Sequence, residues 1–492
     1  MKDKDAAKIL KEREVVTSSE LIRRLEANGY SHARKVLERS FRAKEIWRSK
    51  NIVLPTGARL FARHPFYGTA EFLAAIEPLL SASRPGLTRV LHAMDREQAL
   101  DIDTVKKLLA VKLDSRGEGP AFERALAAVL EAGIGVMEDT GTARPRLVRV
   151  KHRGTDEGKR LGFELYAEVE TQRHLLALLM TNYKFQSLIA WNTPEPGQPR
   201  VYNNGQIFSA VAYSRLRPLR RKSSGSWKSC PVLFESVARP AELYDVEGFL
   251  DRIQRAGDHK QSHLRPLGVM GARSFSPAAL NRGKEFGLAM VNFKELFGEA
   301  GLAVMTNAQK LLASLGGATV DGKATERLAD QLAKSIPALK NNPMVSNLCG
   351  VAFETFAVAV LRGWSIEGVR SGLDVPFGDT TRDVDASGFK EETWYVVECK
   401  ALRAGTSVDE EMIRTFYTET VPSFIKHVGI NNVEKCHAQI WTTGEASPTA
   451  RAYLASMNLD RRIERAILTR AEIKVPKKIF PLSRLMNLIA QL

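Results

Sequence analysis

The sequence predicts an α/β multidomain protein, on three observations. Its 492 residues exceed what one core usually holds, and about two to four domains is the expectation for that length. Apolar residues make up 44%, enough for several cores. Strand-like runs with period-2 alternation lead repeatedly into stretches with helical period, the order of mixed α/β units. Lysine and arginine exceed aspartate and glutamate by 16, and the pI is about 9.6. A chain this basic is expected to meet a polyanion, with nucleic acid the first candidate.

Four cysteines, Cys230, Cys349, Cys399 and Cys436, lie far apart with no CxxC pair. That spacing excludes a zinc ribbon or a disulfide framework and suits a reducing compartment. The charged start, MKDKDAAKILKEREVV, lacks the apolar core of a signal peptide, and no run approaches the length of a membrane span. The expectation is a cytoplasmic protein with no membrane contact.

The N-terminal third predicts two winged helix-turn-helix modules, residues 1–68 and 69–150. In TSSELIRRLEANG, Thr17 and Glu20 have capping-box spacing, Leu21, Ile22 and Leu25 form an apolar stripe, and Gly29 ends the helix. YSHARKVLERSFRAKEI then forms a helix with Ala33, Val36, Leu37 and Phe41 on one face. His32, Arg34, Lys35, Arg39 and Arg42 lie on the other. IWRSKNIVLPTGARLFAR follows as a hairpin turning at Pro55-Thr56-Gly57. A basic helix followed by a hairpin is the arrangement that lays a helix in the DNA major groove. The second module repeats the pattern with DIDTVKKLLAVK, PAFERALAAVLEAG and the hairpin IGVMEDTGTARPRLVRV, which carries Arg144, Arg146 and Arg149. Such modules also serve as protein-docking spacers.

The chemistry lies near the C-terminus. WYVVECKA, residues 394–401, sets Glu398 and Lys400 on one face of an otherwise apolar strand. A plain ion pair at a strand end is the structural reading. The functional one begins upstream, at TRDVDAS, where Asp383 and Asp385 alternate with Val384 across the polar turn GFKEE. Asp385 and Glu398 then face each other on a hairpin and can hold a hard divalent cation, magnesium or manganese, with the Cys399 backbone carbonyl completing the set. Lys400 would hold or activate the attacking water and offset charge on a phosphate. Glu354 is the one acid in the apolar helix VSNLCGVAFETFAVAVLRGW, placed to orient a ligand of that site.

The order Glu354, Asp385, Glu398-x-Lys400 resembles the PD-(D/E)XK, or restriction-endonuclease-like, nuclease superfamily, with Asp383 a rival for the aspartate position. The Thr-Thr-Gly turn in KCHAQIWTTGEASPTARAYLASMNL is similar to the Mrr-type catalytic domain. The resemblance covers about residues 343–475. It implies an α/β/α nuclease domain over 343–492, magnesium-dependent hydrolysis of DNA, and a role in restriction or defence against foreign DNA. The glutamine that often precedes a tyrosine on the next helix is missing beside Tyr417.

Residues 151–315 read as a degenerate copy of the same fold. CPVLFESVARPAELYDVEGFLDRI parallels YVVECKALRAGTSVDEEMIRTFY, so Glu235 matches Glu398 while Val237 replaces Lys400. QIFSAVAYS, the strand due to carry the aspartate, has no acid. Arg215, Arg217, Arg220, Arg221, Lys222 and Lys228 crowd one stretch that could track a phosphate backbone. Residues 316–342 read as a helical connector.

Two functions follow. One is a metal-dependent DNA endonuclease aimed by its winged helices, with a homodimer expected if both strands are cut and an activating partner protein a further expected partner. The other is a non-catalytic winged-helix DNA-binding or regulatory protein with a structural nuclease-like domain. The filled Asp-Glu-Lys set favours the enzyme. No Walker loop occurs.

Overall fold

A computed structural model describes residues 6–476 apart from 115–116, 139–145, 186–188, 191–199, 203–204, 215–219, 224–225, 258–265, 316–326, 328–330, 332–344, 379, 403–404 and 430–434. The chain is mixed α/β with several sheets.

The first unit runs β1 (Val15–Thr17), α1 (Ser18–Ala27), α2 (Ala33–Arg42), β2 (Ile46–Val53) and β3 (Arg59–Arg63). Its antiparallel sheet has the order β1-β3-β2. Thr17 caps α1 by accepting the Glu20 amide at 3.2 Å, and Gly29 takes the left-handed conformation (φ 79°) that follows it. The Glu20 side chain does not return to the cap. It pairs with Arg24 at 2.8 Å, one turn along. Leu21, Leu25, Val36 and Leu37 pack on Ile46 and Phe61.

Helices α3 (Ala70–Ser83) and α4 (Pro85–Glu97) lead into β4 (Ala99–Asp101), α5 (Ile102–Leu109), α6 (Pro120–Glu131), β5 (Val136–Glu138) and β6 (Arg146–Val148). The sheet order β4-β6-β5 repeats that of the first unit. This second module is enclosed. At the end of α6, Glu131 accepts the amides of Asn51 at 2.5 Å and Ile52 at 3.2 Å from β2.

The middle unit contains α7 (Asp156–Phe185), β7 (Ile189–Ala190), β8 (Arg200–Tyr202), β9 (Gln206–Phe208), β10 (Ala210–Ser214), β11 (Arg220–Ser223), β12 (Ser226–Ser229) and β13 (Pro231–Ala241). It continues with α8 (Leu243–Gly257), β14 (Leu267–Phe275), α9 (Pro277–Glu285), β15 (Ala289–Asn292) and α10 (Phe293–Leu315). The last unit contains α11 (Val345–Gly363), β16 (Glu367–Phe377), β17 (Thr380–Lys390), β18 (Thr393–Lys400), α12 (Glu410–Thr415), a π-helical turn (Phe416–Thr420), α13 (Val421–Val428), β19 (Lys435–Thr442), α14 (Pro448–Ser456) and β20 (Ile463–Thr469). The expected connector, residues 316–342, falls outside the described residues except Arg327 and Gln331.

The two large sheets have one topology. The order is β7-β10-β13-β14-β15 in the middle unit and β16-β17-β18-β19-β20 in the last. In each, the first three strands are antiparallel and the last three parallel. An apolar cluster joins the units: Leu175 and Leu179 of α7, Phe293 and Phe297 of α10, and Phe353 and Phe356 of α11 are all buried together with Phe234 and Val397 of the sheets. The far face of the last sheet packs Val396 and Ile440 against Phe416, Tyr417 and Phe424. The turn between β17 and β18 is tighter than GFKEE suggested. Lys390 pairs with Thr393, and Glu391 takes φ 56° to close a two-residue loop.

Candidate active site

The β17–β18 ladder ends at Ala386↔Val397. One residue further, β17 leaves its neighbour, and the Asp385 carboxylate fills the gap by accepting the Cys399 amide at 2.5 Å. Register places Glu398 beside Asp385, and Lys400 two residues on donates to Glu398 at 2.5 Å. The parallel partner β19 fixes both, through Glu398↔Ile440 and Lys400↔Thr442. All three predicted groups therefore meet at one strand junction. Glu398 and Lys400 line a cleft closed on its other side by Asp409, Met412, Thr415, Phe416 and Thr420. The π-helical turn forms part of that wall; such turns recur at functional sites.

Charge is crowded here. Burial, then the carboxylates of Glu398, Glu354 and Asp383, push the Asp385 carboxyl well above its usual range, against the Cys399 amide, which favours the charged form. Burial would lower the Lys400 ammonium, but Glu398 and Asp385 outweigh it and hold it above its ordinary value. One Asp383 oxygen, Oδ1, is buried without a hydrogen-bond partner. Among the described residues, no three His, Cys, Asp or Glu side chains already converge on a cation position. Asp385 is turned to the Cys399 amide and Glu398 to Lys400.

Glu354 points inward from α11, as its apolar setting predicted, and its partners come from another unit. Arg173 of α7 reaches Glu354 at 3.3 Å and Asp383 at 3.4 Å, and His174 Nε2 lies 3.5 Å from Glu354. Burial, reinforced by Arg173, pushes the His174 imidazole well below its ordinary value, so it is neutral. Sequence reasoning missed both residues. The available signal was the polar triplet Gln172-Arg173-His174 directly before the wholly apolar run Leu175 to Met180.

Tyr417 takes no part in the cleft. Its hydroxyl donates to the Ala438 carbonyl at 2.7 Å and accepts from the Ala466 amide at 3.2 Å, tying the π-helical turn to two strands.

In the middle unit, Glu235 is buried and fully compensated. Lys107 of α5 and Arg252 of α8 each lie 2.8 Å from its carboxylate, and Ser209 donates to it. Burial opposes the charged form, but Lys107 and Arg252 outweigh it and hold the carboxyl down at about 2.

On the first module, His32, Arg34, Lys35, Arg39 and Arg42 are exposed as expected. Among the described residues, Arg34, Lys35, Arg39 and Arg42 have no acidic partner, whereas Arg48 is held by Glu38. Among the described residues, the two arginines of the second module's hairpin make no matching surface. Arg146 is buried against Glu138 at 2.6 Å, and Arg149 pairs with Asp95. Arg144, Arg215 and Arg217 lie outside the described residues; Arg220, Arg221 and Lys222 lie on β11, paired with β12. No helix among the described residues is long and apolar enough to cross a membrane.

No family model, no curated protein and no solved structure matches the chain.

Proposed function

We propose that the chain is a divalent-metal-dependent DNA endonuclease of the restriction-endonuclease-like type. The observation that carries this is the junction where β17 leaves β18: Glu398 and Lys400 line one cleft, and Asp385 stands beside Glu398, held by the Cys399 amide. Aspartate and glutamate supply hard oxygen ligands of the kind magnesium and manganese take. Carboxylate crowding around Asp385 and the unpartnered Asp383 oxygen are what a cation would relieve. When bound, such an ion polarises a phosphate and lowers the pKa of an attacking water. Asp385 and Glu398 would hold it by exchanging the Cys399 amide and Lys400 for the metal. Lys400 is protonated, so its part is electrostatic: it orients the water and offsets charge on the phosphate rather than removing a proton. Glu354, held by Arg173, fixes the acidic shell from behind.

The first module has the strand-helix-helix-hairpin order of a winged helix, with α2 presenting Arg34, Lys35 and Arg39 to solvent. We assign it DNA contact, largely with phosphates. The second, enclosed by β2, α8 and α7, is a spacer. Defence against foreign DNA is the setting this combination suits best.

The test is cleavage of supercoiled plasmid with magnesium. Nicking or linearisation that EDTA abolishes and that Lys400→Ala loses supports the assignment; unimpaired cutting by Lys400→Ala removes it. A second reading, DNA binding without cleavage, draws on the Lys400–Glu398 ion pair, which in a purely structural site would simply neutralise both charges. It predicts no cutting under any divalent cation.

A further inference from the structure

We infer that Arg173, carried by the middle unit, is a positioning residue that sets the divalent-cation affinity of the C-terminal site. This rests on the metal-site half of the nuclease reading. Arg173 is about four-fifths or more buried, with 13% of its side chain exposed, and it bridges Glu354 on α11 and Asp383 on β17. Those are two of the three carboxylates that act on Asp385, the third being Glu398. A guanidinium placed between them cancels part of the negative field that would draw a cation.

The placement is built into the partner strand. Gly372 of β16 adopts φ 59°, and a Cβ there would lie 1.8 Å from the guanidinium carbon of Arg173. Any side chain at residue 372 would expel the arginine. His174, the next residue, is neutral, so among the described residues of α7 it is Arg173 that brings positive charge to these acids. The middle unit, which has Ser209 and Val237 where the last unit has Asp385 and Lys400, thus keeps a part in the site through the helix that precedes its sheet. Its docking, and not only the fold of residues 343–492, determines how tightly the acids bind a cation.

The experiment is Mn2+ titration of the full chain by calorimetry, comparing wild type, Arg173→Met and Arg173→Lys, with Asp385→Asn to show that the heat comes from this site. Arg173→Met, neutral and of similar length, is expected to bind Mn2+ about fivefold or more tightly, since a charge beside two carboxylates has gone. Arg173→Lys should stay near wild type. Gly372→Ala should move in the same direction as Arg173→Met, and circular dichroism confirms that each variant is folded. Equal or weaker Mn2+ binding by folded Arg173→Met overturns the inference, and so does the absence of any Asp385-dependent binding in the wild type. Tighter binding by Arg173→Met in a protein that cuts no DNA would uphold the inference while removing the nuclease reading.

Discussion

Ser209 and Asp385 occupy the same position in two sheets of identical order and strand direction. Each precedes an alanine, Ala210 or Ala386, that pairs with the residue before a glutamate: Phe234 before Glu235, Val397 before Glu398. The glutamates in turn pair in parallel with Met270 and Ile440. By the same register Val237, opposite Ala272, stands for Lys400, opposite Thr442. The middle sheet therefore retains the glutamate and lacks both the aspartate and the lysine. Its glutamate is satisfied instead by Lys107 and Arg252, and the Lys107 pair anchors the second module to this sheet.

This anchoring changes what Glu235→Ala should do. An inert remnant would tolerate it. Here it leaves Lys107 and Arg252 buried without their counter-charge, and a loss of about 3–5 kcal/mol in unfolding free energy is expected. Chemical denaturation measures it, and a loss under about 1 kcal/mol would show that the network contributes little. Glu235→Gln should lose less, because the amide keeps an acceptor for one of the cations.

The same carboxylate predicts a pH dependence. Its folded value, about 2, lies below the ordinary 4.5. Above the unfolded value the group is charged in both states and contributes its full stabilisation, about 3 kcal/mol for a shift of this size. That contribution is lost as pH falls from about 4.5 through 2. Acid titration of wild type against Glu235→Gln should show the difference in stability shrinking across this window. A constant difference would contradict the assignment of the charge to Glu235.

Most of the candidate site was legible in the sequence because strand alternation alone places Glu398 and Lys400 on one face and a short turn sets Asp385 opposite. The embedded Glu354 was legible for a similar reason, an acid in a buried helix needing a partner. Its partner was not, since Arg173 lies 181 positions away and the contact depends on how two units dock. The same limit hid Lys107, which reads as an ordinary cation on the polar face of α5 and instead enters the middle unit. The second hairpin was not legible for the converse reason: the sequence leaves open whether Arg146 faces solvent, and Glu138 and the Gly158 carbonyl hold it inside.

Tyr417 provides a test of structure against chemistry. If it serves only to tie the π-helical turn to β19 and β20, Tyr417→Phe should cost about 1–2 kcal/mol, the usual loss for a buried hydroxyl with two partners. Cleavage per folded molecule should persist within about twofold, whereas Lys400→Ala should lose about 100-fold or more. A large fall in turnover for folded Tyr417→Phe would mean that the turn's position, and hence the cleft wall at Phe416 and Thr420, matters to the reaction.

The exposed face of α2 makes a prediction independent of cleavage. Arg34 and Lys35 have no acidic partners among the described residues, so replacing both with alanine should leave the fold intact. If each neutralises a DNA phosphate, the double variant binds duplex DNA more weakly, and the slope of log affinity against log salt becomes shallower by about 2. Fluorescence anisotropy across a salt series separates this from a general loss of affinity. An unchanged slope would move the DNA contact away from α2, toward the basic β11–β12 hairpin that carries Arg220, Arg221 and Lys222. Because the second module is packed on both sides, no comparable effect is expected from Arg149→Ala beyond the loss of its pairing with Asp95.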